Sequence, residues 1–438
     1  MNDKNILNLL VKSWSVSWPM ILIMIFEFFI SLTDVYIAGI IGKEVQATIG
    51  LVSQIYFIFV VVANAITVGS VSVVSRLYTA KDSNELSVAI FSILAATGSF
   101  GILLSLAGIF LSDNIINFLN IPDEIKKFAV PLINIYAFGL MFHYFLVNTN
   151  GILRATSRIK ISLLSMLLAA VLNVSLNFFF VFHTPLGFKG IALSTVVSVV
   201  VAAILNLYHI RIFLVLKKID INFIKRVFKI GWPSGLLQVS WQLGSTVLFL
   251  IIGMIPEKSI DVMAAFTNGA RIEAAIFLPA FAFNMANAVV VGNYMGEKNM
   301  EDAFKSGYYT ALMGSVIITL ITVIVIVFAW PIANFLSHNE NVVKESVNYL
   351  YISMISEPFM AFGVILGGGL NGVGDTKSVM VRVISSLWLI RIPLAFVLGI
   401  VLNYGSSGIW WSMNISIFAQ CYLIGRYYFK KRWLYNEI

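Results

Sequence analysis

The sequence predicts an all-α membrane protein of about twelve transmembrane helices in two pseudo-symmetric six-helix bundles. Three observations carry that expectation: an apolar composition, long apolar runs along the whole chain, and two motifs that recur at a fixed offset. Of 438 residues, 59% are hydrophobic and only 11% are charged, whereas a soluble domain is about half apolar and about a quarter charged. Crossing roughly 30 Å of hydrocarbon takes about 20 helical residues. Lipid offers the backbone no hydrogen-bond partners, so such runs must close their own bonds as helices; barrel strands would be about ten residues of strict alternation.

In order, the runs place helices near 15–38, 49–75, 87–111, 128–151, 161–183, 190–212, 231–255, 262–292, 306–335, 346–371, 378–402 and 406–428. The eighth is the least clear-cut as a span, because it carries Arg271 and Glu273. The first lacks a small-residue cleavage site and holds Glu27 and Asp34, so it reads as a span and not as a signal peptide. No run is left over for a soluble catalytic domain.

The net charge of +8 is explained by the positive-inside rule rather than by nucleic acid. With the N-terminus inside, the inner segments hold most of the basic residues, among them Arg76, Lys81, Arg154, Arg158, Lys160, Arg211, Lys217, Lys218, Lys225, Arg226 and Lys229. The outer loops hold only Lys43, Lys126, Lys127, Lys189, Lys258 and Lys344. Both termini are therefore expected in the cytoplasm, with the chain in the plasma (inner) membrane of a prokaryote. The single cysteine, Cys421, can form no internal disulfide.

The basic stretch RIFLVLKKIDINFIKRVFKIG splits the chain near its midpoint and is expected to include a short amphipathic helix at the inner surface. Two domains follow, 1–218 and 219–438. LRATSRIK from Leu153 aligns with LNGVGDTK from Leu370, and SRLYTAK from Ser75 aligns with GNYMGEK from Gly292, both at an offset of 217 residues. Pro19 and Pro233 match at an offset of 214 in the first helix of each half. Equivalents six helices apart share an orientation, so the repeat is parallel, a transporter plan.

A charge at mid-span costs about 2.5–3.5 kcal/mol on insertion scales. Asp34 and Glu27 stand two turns apart on one face of the first helix, which Pro19 kinks; the fifth adds Asn173 and Asn177 at i, i+4, and the sixth adds Thr195. Oxygen donors around one carboxylate suit a hard cation, and a carboxyl in an apolar surround suits a proton carrier. The plainer alternative, helix-to-helix hydrogen bonding, applies to the Asn and Thr residues more than to a lone acid. In the second half, Arg271, Arg382 and Arg391 are expected to snorkel or pair, leaving Glu273 and Glu357 as candidate acids.

These residues give the chain a resemblance to the multidrug and toxin extrusion (MATE) transporters over nearly its whole length. Pro19 is followed fifteen residues later by Asp34 and DVYIAGIIG, and LNGVGDTKSVMVRVISSLWLIRIPLAFVLG and LPAFAFNMANAVVVGNYMGEKN resemble the family's second-half signatures. The chain is more similar to the DNA-damage-inducible branch, which implies a V-shaped alternating-access antiporter that exports bulky, often cationic, amphipathic compounds against sodium or proton entry.

The resemblance gives the coupling role to Asp34, Asn173 and Thr195, with sodium as the metal those three would hold, and places Glu27 and Asn150 near the substrate pocket. Where that branch has a second aspartate, this chain has Asn177, one negative charge fewer. The seventh helix offers Gln238 and Gln242 instead of acids.

A lipid-linked oligosaccharide flippase of the same superfamily is the alternative, but a pyrophosphate headgroup would need several buried cations. An enzyme is not expected, since His143, His183, His209 and His338 show no spacing that pairs them with acids. No cofactor beyond the coupling ion, no nucleic-acid partner and a monomer are expected; small molecules and the bilayer are the expected partners.

Overall fold

The computed structural model describes residues 3–118, 122–215, 218–256 and 258–435. Among them every regular element is helical. Six helices make up the first half: α1 (Asp3–Ile41), α2 (Lys43–Thr79), α3 (Ser83–Phe118), α4 (Asp123–Ala155), α5 (Ile159–Phe182) and α6 (Lys189–Ile210). The second half follows with α7 (Ile221–Gly253), α8 (Ser259–Gly296), α9 (Met300–Val327), the short α10 (Ala329–Leu336), α11 (Glu340–Ser353) and α12 (Glu357–Gly372). It ends with α13 (Thr376–Ser385), α14 (Ile392–Phe396) and α15 (Gly405–Phe429). Among the described residues, ten helical runs are long and apolar enough to span a membrane and the bent pair α11–α12 makes an eleventh; α15, of 25 residues, is long enough but less apolar.

Two elements depart from simple spans, each at a proline. The expected helix 346–371 is two helices, α11 and α12, bent by 54°. Pro358 stands at the start of α12, where its missing N–H costs nothing, and it disfavours continuing α11 through the residue before it. The run 376–401 widens into π-helical turns at Ser386–Arg391 and Val397–Val401. Pro393 cannot donate to the fourth residue before it and would clash with that carbonyl; a wider turn relieves both.

The expected separate amphipathic helix between the halves is absent among the described residues. A 3-10 turn, Arg211–Phe213, is followed by α7, which starts at Ile221 and runs straight through Pro233; residues 216 and 217, including Lys217, lie outside the described residues. The first turns of α7 lie backbone to backbone on α2: a Cβ on Gly69 would stand 2.2 Å from the Val227 carbonyl oxygen, and one on Gly231 2.5 Å from that of Ala65.

The compact units consequently differ from the 1–218 and 219–438 division. One comprises Leu22–Trp232; the other comprises Met1–Ile21 together with Pro233–Ile438. The start of α1 belongs to the second-half core: Leu9 is buried in it, Thr310 Oγ1 donates to Ser13 Oγ at 2.7 Å, and the Lys12 ammonium lies 3.6 Å over the Tyr294 ring. Both chain crossings fall beside the prolines matched at offset 214, Pro19 and Pro233.

The candidate ion site and its family

In the first unit, four helices converge on Asp34, which is 7% exposed. Asn177 Nδ2 donates to Asp34 Oδ1 at 2.7 Å and Asn173 Nδ2 to the same oxygen at 3.3 Å. Thr195 Oγ1 donates to Oδ2 at 2.8 Å and itself accepts from Asn173 Nδ2 at 2.9 Å. Tyr136 Oη, from α4, donates to Oδ2 at a long 3.5 Å. Asn173 and Asn177 are fully buried, one turn apart on α5, so both amides reach a single carboxylate from one helix face.

All four predicted ion-site residues are thus brought together, and Tyr136 joins them. Tyrosine is common here, at 16 residues, and no spacing distinguished this one. Its ring packs against Tyr56 at 5.4 Å, and Tyr56 against His143 at 5.4 Å, so the far side of the site is aromatic. Four donors to one carboxylate are the complement an ionised acid needs, and charge-assisted bonds are worth about 1.5–3 kcal/mol each.

One acceptor is left over: Asn177 Oδ1 is buried without a hydrogen-bond partner. A sodium ion beside Asp34 could use that oxygen, and rotation of the Asn173 amide would supply a second. A protonated Asp34 would need the same acceptor for its O–H. The donor set therefore fits either ion, with one formal charge from the protein.

Glu27 and Asn150 stand apart from this site. Glu27 lies about 10 Å along α1 from Asp34, is exposed, and is charge-coupled to Arg154. Asn150 Oδ1 accepts from Ser162 Oγ and from Asn206 Nδ2, both at 2.7 Å, tying α4 to α5 and α6. Arg154, buried one turn beyond Asn150 on α4, brings Glu27 into the same neighbourhood.

In the second unit, Glu273 and Glu357 lie within the electrostatic reach of Arg391, although the three come from separate helical runs. Arg391 is 6% exposed and feels both carboxylates. Of the two expectations, snorkelling and pairing, snorkelling at a span end is not what it does: it lies inside the run 376–401, where the π turn before Pro393 places it, with its Nε donating to Ser416 Oγ at 2.8 Å. Glu357 is also no end residue. It opens α12 at the mid-span break, 3% exposed, where the helix dipole favours an anion. Tyr349 and Ser353 of α11 face Glu273. Arg382 instead stacks on the Tyr427 ring at 3.8 Å.

The MatE family model matches residues 19–179 and again 233–397. The chain belongs to the MatE family. The two matches cover both halves, as the internal repeat requires, and MatE proteins are multi-pass membrane transporters, not enzymes. Over 96% of its length the chain is 22% identical to the uncharacterized transporter YisQ of Bacillus subtilis, covering 94% of that protein. It is 23% identical over 93% of its length to the probable multidrug resistance protein NorM of Thermotoga maritima, covering 90% of it. The MATE transporter VcmN of Vibrio cholerae in its bent form superposes with a TM-score of 0.89 at 18% identity, covering 98% of each chain; at that identity the likeness shows the fold.

Proposed function

We propose that this MatE protein is an ion-coupled antiporter that exports small, often cationic, amphipathic organic compounds by alternating access, with Asp34 as the coupling group. The observation that carries the reading is the buried carboxylate held by neutral groups from three further helices, with no cation among the described residues acting on it. Relatives named as multidrug resistance proteins support the export of drug-like molecules.

A lone acid whose helix contacts are neutral changes net charge when an ion arrives. That gives the ion a different free energy in two conformations, and only such a difference shifts their populations. With Asn177 in place of a second acid, sodium has one formal charge to bind, and ligand charge is a principal lever on affinity for hard cations. Proton coupling is therefore at least as well supported as sodium coupling.

The flippase alternative would need buried cations available for a pyrophosphate. Arg154 and Arg391, buried in the spans, each face carboxylates instead.

The distribution of basic residues supports both termini in the cytoplasm of a prokaryotic cell. In a Cys421→Ser background, Lys43→Cys and Lys258→Cys should react with an impermeant reagent from outside and Lys225→Cys should not; the reverse pattern ends this orientation. The functional test is efflux of a cationic dye from everted vesicles: Asp34→Asn, inserted at normal levels, should lose gradient-driven transport. Transport at the parent rate removes Asp34 from the mechanism.

A further inference from the structure

Remote from Asp34, the end of the first unit where α3 and α7 begin carries an open cavity of about 500 Å3. Its charged lining consists of Glu85 from α3, Lys218 and Asp220 from the connection, and Lys225, Arg226 and Lys229 from the first turns of α7. Four cations thus face two acids. Asp220 is already engaged: its Oδ1 accepts the Asn222 backbone N–H at 2.8 Å, and its own N–H donates to Ser92 Oγ at 2.8 Å. Among the described residues, the ion pairs are made by Lys12, Lys43, Lys126, Lys305 and Lys344, and none by the four cations of the cavity.

Three of the four cations, Lys225, Arg226 and Lys229, stand on α7. Val227, next to Arg226, presses its carbonyl against Gly69 of α2, so the turn bearing Lys225, Arg226 and Lys229 is anchored on a span. The same connection exposes apolar side chains: Val215 is 77% exposed, Ile219 58% and Ile221 55%. Exposed apolar groups beside clustered Lys and Arg at the end of spans are what a chain presents to the headgroup layer of a bilayer, where anionic lipid attracts basic segments.

We propose that this cavity is a binding site for the phosphate of an anionic phospholipid headgroup, held by Lys218, Lys225, Arg226 and Lys229. Excess positive charge selects an anion, an open cavity of this size admits a headgroup, and the exposed Val215, Ile219 and Ile221 give the acyl chains a surface that a free phosphate could not use. The site is independent of the ion and substrate chemistry at Asp34.

The test uses the full chain in nanodiscs of phosphatidylcholine doped with phosphatidylglycerol, with retained lipid read by native mass spectrometry after transfer to detergent. Neutralising Lys225, Arg226 and Lys229 to Gln together should lower phosphatidylglycerol retention at least about ten-fold, since each charge near an anionic surface counts for roughly a factor of five. The matched variant Lys430→Gln/Lys431→Gln/Arg432→Gln should retain lipid as the parent does, and millimolar inorganic phosphate should not displace it. Equal retention by the cavity variant overturns the proposal, as does equal loss in the C-terminal variant, which would mean unspecific charge. Displacement by inorganic phosphate would make this a free-anion site and not a lipid site. Lys225→Arg/Lys229→Arg, which keeps the charge, should bind as the parent does, and single Lys229→Gln should show a smaller loss if the triple variant does not fold.

Discussion

At the turns between α2 and α3 and between α8 and α9, the two halves match residue for residue. Lys81 and Lys298 both take left-handed φ values, 61° and 58°, as do Ser157 and Gly374 at 59° and 81°; each pair is 217 apart. Asp82 Oδ1 accepts the Glu85 N–H at 3.0 Å, and at the same offset Asn299 Oδ1 accepts the Asp302 N–H at 3.1 Å. Inside the spans the likeness ends. Positions equivalent to Asp34, Asn173 and Asn177 hold Leu248, Ile390 and Leu394, and the second-half acids stand elsewhere, around Arg391. Duplication has kept the turns and caps that a helical hairpin needs, while the buried polar groups have diverged. One half holds a carboxylate among neutral donors, the other two carboxylates with a built-in cation.

The widest separation between the halves should appear in transport against stability. Asp34→Asn should abolish coupled efflux while leaving the protein inserted and folded, because the Thr195 and Tyr136 hydroxyls can turn to accept from the new amide. Arg391→Gln should do the opposite first, costing about 1–3 kcal/mol, because it removes the buried donor to Ser416 and the cation whose field reaches Glu273 and Glu357; unfolding in detergent reads this, and a variant as stable as the parent would show that the cluster does not depend on this cation. Gly69→Ala should cost about 1–3 kcal/mol, since a methyl meets the Val227 carbonyl and the close approach of α7 to α2 must open. The smallest effect belongs to Tyr136→Phe, whose hydroxyl contact is long: about two- to five-fold in transport. A loss as large as that of Asp34→Asn would instead make Tyr136 an essential part of the site.

The polar cluster around Asp34 was legible in the sequence because its cost is local. A carboxylate inside an apolar run demands partners, and the i, i+4 amides of α5 advertise a polar face. The span pattern and the repeat were legible for the same reason, being written in runs and fixed offsets. For Arg391 the sequence left snorkelling and pairing both open, because an arginine near a predicted helix end suits either; its nearness to Glu273 and Glu357 joins three runs that no spacing connects. The division between compact units was also hidden. Loop position suggested 218/219, but the first turns of α1 and α7 pack by contacts such as Gly231 on Ala65, which hydropathy does not record.

The claim that one carboxylate couples ion entry to export is tested most directly by ion movement itself. Purified protein in proteoliposomes would be given an outward or inward gradient of a transported cation, with sodium and proton fluxes recorded separately. The parent should drive a flux of one of the two ions opposite to substrate, Asn177→Asp should shift that flux toward sodium, and Asp34→Asn should drive none. Ion flux of parental size in Asp34→Asn, while substrate still moves, would contradict the account.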